Sequence, residues 1–277
     1  MDLRSFISLC EKEGELKRIK PEVDWDLEMS HIAKLNEEQA GPALLFEKVK
    51  GYPSQALSSV CTTTSRLALI MGMPKNTSLV ELMREWVKRT ANKKPAKFVA
   101  TGPCKENVLK GDQINLLKFP VPKVFPKDGG RFFGTTAYTI SKDPESGWLN
   151  VGVYRLQVLD EKTLGCQFIK GKHSDIMLQK YKSLKKPMPV IVAIGGDPLM
   201  FLMGAARLPA FESEYDFGGA IRGEPIEVIK GETVDLPVPA SAEIVVEGEV
   251  DAETTKPEGP FGAVSYTHLT LPTNREV

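Results

Sequence analysis

The side chains able to do chemistry are few and fall in three stretches. Asn150, Arg155, Gln167, Lys170, Lys172 and His173 share one β-rich segment. Glu212, Glu214 and Asp216 follow an apolar helical run, and Glu258 sits in the turn PEGPFG, 257–262. His173 reads either as a surface histidine at a helix start or as an imidazole ligand. As a ligand it suits Mn²⁺ or a similar ion, with Asn150 and Glu214 supplying oxygens. Lys170 and Lys172 flank Gly171 and are either solvated charges or phosphate donors. Arg155 lies on an apolar strand, GVYRLQV, where arginine is rarely buried unless paired. It reads as an outward or strand-end side chain, or as a bidentate receptor for a carboxylate or phosphate. The three acids in FESEYDFGGAIRG (211–223) read as a solvated face or as ligands. Glu258 is held by Gly259, Pro260 and Gly262 in tight backbone geometry.

These residues need elements that bring them together, and one spacing is awkward. Asn150 and Arg155 are an odd number of residues apart, so a regular strand points them to opposite faces. If both line one site the strand must bend or bulge, and Gly152 is the place for it. WLNVGVYRLQVL (148–159), TTAYTI (135–140), MPVIVAI (188–194), PIEVI (225–229) and AEIVVEGEV (242–250) read as strands. Asp197 and Pro198 after Gly195–Gly196 form a helix start, with Asp197 as N-cap. Its amides could take an anion, or the motif only caps a helix. The first hundred residues alternate helix and strand signals. Leu3, Phe6, Ile7 and Cys10 share a stripe ending at Gly14, and a helix over 25–38 is expected to turn Leu27, Ile32 and Leu35 inward. PALLFEKV reads as a strand closed by Gly51, Tyr52 and Pro53, and 67–73 as a short helix. Ser78 and Glu81 make a capping box ahead of Leu79, Leu82, Met83, Trp86 and Val87 at helical period. The fold expected is α+β: an N-terminal α/β domain over 1–104, then a mostly β domain, a barrel or split sheet, over 105–262.

Composition narrows the function classes. The chain has 277 residues, 36 basic and 36 acidic, with 42% hydrophobic and 26% charged side chains. That is an ordinary globular composition, and its balanced charge argues against a nucleic-acid binder held by a basic field. No apolar run approaches the ~20 residues of a membrane span. The start of the chain lacks the pattern of a signal peptide. Four scattered cysteines form no CxxC, which fits a reducing cytoplasm. With only three histidines, a metal must rest mostly on oxygen ligands.

The strings NVGVYR (150–155), GKH (171–173), GGDP (195–198), SEYDFGGAIRGEP (213–225), PASAEIVVEGEV (239–250) and EGPFG (258–262) occur in the order and spacing of the UbiD decarboxylase family. PALLFEKVKGYP and RLALIMGM also resemble its N-terminal domain. The resemblance covers residues 1–262. It implies reversible, non-oxidative decarboxylation of aromatic, heteroaromatic or α,β-unsaturated acids. It also implies prenylated FMN, made by a UbiX-type flavin prenyltransferase, on a split β-barrel like that of FMN-binding reductases. It further implies a divalent metal, usually Mn²⁺, between the cofactor phosphate and the protein, with K⁺ nearby. By motif match Asn150, His173 and Glu214 resemble the metal ligands. Val153, Tyr154 and Arg155, with Gln167, Phe168, Ile169, Lys172 and His173, resemble the cofactor contacts. Arg155 and Glu258 resemble two members of a Glu–Arg–Glu (or Asp) catalytic network.

The third member is where the sequence departs. The family pattern places Glu or Asp after EGPFG, and this chain has Ala263 followed by VSYTHLTLPTNREV. The expectation is that 263–277 is a non-native tail on a clipped frame. A further domain that makes relatives homo-oligomeric would then be missing, and turnover by this chain would be poor. Two other readings stay open: an FMN-dependent reductase with a related barrel, although no GxGxxG fingerprint is present, and a non-catalytic flavin-binding subunit.

Overall fold

The computed structural model describes residues 1–133, 137–251 and 253–262. Its first part runs α1 (Leu3–Lys12), β1 (Leu16–Val23), α2 (Glu28–Glu38), β2 (Ala43–Val49), β3 (Ala56–Ser58), α3 (Thr64–Ile70), α4 (Leu79–Thr90) and β4 (Lys97–Phe98). β1 and β2 are parallel with α2 as the crossover, and β3 adds antiparallel to β2. Val23, Leu44, Phe46 and Val49 form a small core under Met29 of α2. The expected stripe of α1 is found, with Phe6 and Cys10 buried and Asp2 accepting from the Ser5 amide as N-cap. Gly14 follows at φ 74, a conformation that suits glycine at a helix end.

One expected face is corrected, and one amphipathic helix is only partly covered. In α2 the contact is made by Met29 and Ile32, whereas Leu35 is 59% exposed and Leu27 precedes the helix at φ 70. The helix begins three residues later than expected, and the small sheet covers only one arc of it. In α4 the capping box forms as expected, but only Leu82 is buried, with Trp86 beside the core. Leu79, Met83 and Val87 face outward because the apolar arc is wider than the surface beneath it.

The remaining elements are β5 (Arg131–Phe132), β6 (Tyr138–Lys142), β7 (Leu149–Gly152), β8 (Leu156–Val158), β9 (Leu164–Cys166), α5 (His173–Ser183), β10 (Met188–Ile194), α6 (Pro198–Ala205), α7 (Glu214–Arg222), β11 (Glu227–Lys230), β12 (Pro237–Pro239) and β13 (Ile244–Val250). An antiparallel sheet in the order β13-β10-β6-β7 is central. A second sheet runs β5-β8-β9 and a third β12-β11-β4, in which β4 lies parallel to β11. Among the described residues the sheets are small and none closes on itself. Thr135 and Thr136, the start of one expected strand, lie outside the described residues.

Alternation along the central strands sorts their side chains. Tyr138, Ile140, Val151, Ile191 and Ala193 enter the main core with α1, α3, α6 and α7, so both parts of the chain share one core. Thr139, Ser141, Asn150 and Gly152 take the other face, where α5 packs Met177 and Tyr181 near Met188 and Val190. Asp197 caps α6 through the Leu199 amide and pairs with Arg222 at 2.6 and 3.0 Å. Its carboxylate therefore fills the helix start considered for an anion.

Candidate active site

The parity conflict between Asn150 and Arg155 is resolved by a change of sheet. β7 ends at Gly152 in the central sheet, and β8 begins at Leu156 in another. The residues between, 153–155, belong to neither strand. Tyr154 folds back across Gly152, where an added Cβ would meet its ring at 2.6–2.8 Å. The Tyr154 hydroxyl lies 3.5 Å from Asn150 Nδ2, and its ring meets Phe168 edge-on at 4.9 Å. The Val153 amide donates to the Gly204 carbonyl.

Asn150, His173 and Glu214 converge on β7. His173 is the first residue of α5, and its Nδ1 lies 3.2 Å from Asn150 Oδ1. Glu214 is the first residue of α7 and reaches the open edge of β7, accepting the Val151 amide at 2.8 Å. It is 3% exposed, and burial pushes its carboxyl up to about 7 against the pull of that amide. No Lys or Arg pairs with it among the described residues. Burial first, and then the charge of Lys172, push the His173 imidazole down, which favours the neutral ring. Of the three neighbouring acids only Glu214 is placed this way. Glu212 pairs with Lys93, and Asp216 is half-buried and pushed up chiefly by burial.

These groups fit a divalent cation: an amide oxygen, a neutral imidazole and a buried carboxyl lacking a cation. No three His, Cys, Asp or Glu side chains cluster for a metal among the described residues, so the set depends on the amide of Asn150. Trp148, which the sequence reading passed over, braces His173 edge-on at 4.7 Å and is anchored by its indole N–H to the Glu212 carbonyl.

Arg155 and Glu258 meet as a two-point ion pair, Nε to Oε1 at 2.8 Å and Nη2 to Oε2 at 2.6 Å. The third nitrogen, Nη1, is buried and has no hydrogen-bond partner among the described residues. The turn carrying Glu258 is pinned by Gln157, which accepts the Gly259 amide at 2.8 Å, and by Asp128, which accepts the Gly262 amide at 2.7 Å. Neither was singled out from sequence, since these are contacts over 102 and 134 residues. Gln167, Ile169 and Lys172 lie exposed on the stretch between β9 and α5, beside Phe168. Two surface depressions, about 450 Å³ beside Trp148 and Phe211 and about 520 Å³ beside Trp25 and Tyr52, are not lined by Arg155 or Glu258.

The 3-octaprenyl-4-hydroxybenzoate carboxy-lyase family matches twice, its Rift-related domain over residues 97–274 and its N-terminal domain over 7–86. The chain belongs to this family, UbiD. The UbiD match runs past Ala263, the point at which the motif resemblance stops. Pyrrole-2-carboxylic acid decarboxylase of Pseudomonas aeruginosa is 34% identical over 274 residues, covering 95% of this chain and 55% of the relative. The closed form of vanillic acid decarboxylase from Sedimentibacter hydroxybenzoicus superposes with a TM-score of 0.91 at 34% identity, covering 94% of this chain and 57% of that one. An evolved dimeric form of the UbiD-class enzyme HmfF from Pelotomaculum thermopropionicum, solved with prFMN, gives 0.88 at 32% identity, with 94% and 60% covered. The chain thus spans little more than half the length of these UbiD relatives. No helix among the described residues is long and apolar enough to cross a membrane. Position 263 and the tail to 277 lie outside the described residues.

Proposed function

We propose that this chain forms the cofactor-holding part of a prenylated-FMN-dependent carboxy-lyase acting reversibly on an aromatic, heteroaromatic or α,β-unsaturated acid. The observation that carries the reading is the buried Arg155 Nη1, unpartnered among the described residues, on a guanidinium whose other edge Glu258 holds. A buried cationic donor with one free edge is suited to an anion. The names of the relatives, pyrrole-2-carboxylic and vanillic acid decarboxylases, favour an aromatic or heteroaromatic acid.

When bound, prenylated FMN supplies the electron sink needed once CO₂ departs. Arg155 binds and orients the substrate carboxylate and stabilises its negative charge. Glu258 keeps the guanidinium in register. Asn150, His173 and Glu214 hold a divalent cation, Mn²⁺ being the expected ion, with K⁺ nearby. Val153, Tyr154, Gln167, Phe168, Ile169 and Lys172 line the flavin, on a split barrel assembled from the central and β5-β8-β9 sheets. A boundary near residue 104 would set this unit beside an N-terminal one, the two packed together through the core they share. A UbiX-type prenyltransferase supplies the cofactor, and the whole protein is a homo-oligomer.

A second reading, a non-catalytic cofactor-binding subunit, is favoured by Ala263 at the position where the family pattern puts a proton-donating acid. One experiment separates the two. The purified chain is loaded with prenylated FMN and Mn²⁺, and exchange of labelled CO₂ is followed across a panel of aromatic and unsaturated acids. Bound cofactor with exchange supports the carboxy-lyase, and bound cofactor without exchange, in this chain and equally in its Ala263→Glu variant, supports the subunit. Failure to bind the cofactor overturns both, and NADH oxidation in its place would make the chain a flavin reductase.

A further inference from the structure

Asn150 can serve as an oxygen ligand only if its amide is turned the right way. Flipped by 180°, it would aim two N–H groups at a cation. Three buried residues decide the orientation. Asn150 Nδ2 lies 3.1 Å from Ser174 Oγ, Ser174 Oγ lies 3.1 Å from Ser141 Oγ, and Ser141 Oγ lies 3.4 Å from Met177 Sδ. Ser174, Ser141 and Met177 are each fully buried, and Asn150 is 3% exposed.

The direction of this chain follows from its last member. A thioether has no hydrogen to give, so Ser141 donates to Met177. Ser141 then accepts from Ser174. Ser174, its one proton committed, can only accept from Asn150, so the NH₂ of Asn150 faces Ser174. The other amide hydrogen points to the Tyr154 hydroxyl at 3.5 Å. Both N–H groups are thereby occupied on the protein side, and Oδ1 is left facing His173. If the amide flipped, Ser174 would have to turn its proton to Oδ1 and Ser141 to turn its own to Ser174, leaving the buried Met177 Sδ without its donor and an Asn150 N–H without an acceptor. The elements fit the task. Ser174 and Met177 are one turn apart on α5, and Ser141 pairs directly with Asn150 across β6 and β7.

We infer that Ser174, backed by Ser141 and Met177, is a positioning residue that fixes the amide of Asn150 with its oxygen toward the metal site. This rests on the proposed metal reading, and the test keeps the two apart. Mn²⁺ alone is titrated into the metal-free full chain, with affinity read by calorimetry and the bound ion by its electron paramagnetic resonance spectrum. Ser174→Ala is expected to weaken Mn²⁺ binding by about 10–100-fold, the usual effect of removing a group that orients a ligand. The deciding step is the same substitution in an Asn150→Asp background. A carboxylate presents an oxygen whichever way it turns, so Ser174→Ala should there change affinity by less than about 3-fold, a non-additivity that reports coupling of the two residues.

Equal losses in both backgrounds would make Ser174 a general structural residue and overturn the inference. Unchanged affinity of Ser174→Ala in the Asn150 chain would also overturn it and leave the metal reading intact. A wild-type chain that takes up no Mn²⁺ would overturn the metal reading itself, and the inference with it. Should Ser174→Ala fail to fold, Ser141→Ala carries the test: it frees the Ser174 proton to turn toward Oδ1. A several-fold loss with Asn150 and none with Asp at that position supports the inference, and any other pattern overturns it.

Discussion

Arg155 and Glu258 are 103 residues apart in sequence and meet through two hydrogen bonds of 2.8 and 2.6 Å, with only 11% and 13% of their side chains exposed. The pair joins the 153–155 crossover to the turn at 257–262. Breaking a buried pair by removing one partner leaves the other charge uncompensated. Glu258→Ala should therefore cost roughly 3 kcal/mol of stability in the cofactor-free protein, read from urea unfolding. A change below about 1 kcal/mol would mean the pair is as weak as a solvated surface bridge.

Glu214 sets a pH dependence whose sign can be worked out. Its folded-state carboxyl stands near 7 against an ordinary 4.5, because it is buried. Below about pH 4.5 the folded and unfolded chains both hold the proton, and the stabilising contribution of the neutral acid is fully present. As pH rises toward 7 the unfolded chain releases the proton first, so this contribution declines and is lost above 7. The expected decline is about 3 kcal/mol for a shift of this size. Metal-free protein should thus be less stable at pH 7.5 than at pH 5 by an amount that Glu214→Gln removes. A bound divalent cation should reverse the trend, because it favours the carboxylate and releases a proton on binding. A wild-type and Glu214→Gln pair with identical pH profiles would show that the burial does not tax the charge.

Gly152 is required by Tyr154 rather than by its own backbone. A methyl group there would sit 2.6 Å from Tyr154 Cε2 and 2.7 Å from its hydroxyl oxygen. Gly152→Ala should cost about 1–3 kcal/mol, the usual range for overpacking. In a Tyr154→Ala background the same change should cost less than about 0.5 kcal/mol, since the clash is gone. Equal costs in both backgrounds, measured by urea unfolding, would place the strain elsewhere.

The same glycine shows how far the sequence can be read. The odd spacing of Asn150 and Arg155 demands a break, and Gly152 is the residue that permits one. What the spacing cannot show is that the break is a passage between two sheets. Likewise the three acids 212, 214 and 216 are equivalent by residue type and spacing, and the motif match points to Glu214 without a physical reason. The contact with Val151, across 63 residues, supplies that reason. Local signals fared well where a local cause suffices, as in the Ser78–Glu81 box and the Asp197 cap. Ser174, Gln157 and Trp148 act through partners distant in sequence, and nothing beside them in the chain announces those partners.

The helix α4 separates amphipathic pattern from burial and gives a last prediction. Leu82, Trp86, Leu79, Met83, Val87 and Val80 lie along one continuous arc at helical period. The core takes only the Leu82–Trp86 side of it, and Leu79, Val80, Met83 and Val87 are 53–71% exposed. A residue stabilises by the apolar surface it removes from water, not by its place in a pattern. Leu82→Ala should therefore cost roughly 2–5 kcal/mol, as for a buried leucine elsewhere. Met83→Gln and Val87→Thr should fall within about 0.5 kcal/mol of wild type, as exposed substitutions do. Urea unfolding of the three variants checks this, and a cost at Met83 or Val87 comparable to that at Leu82 would show that the outer arc is covered in solution.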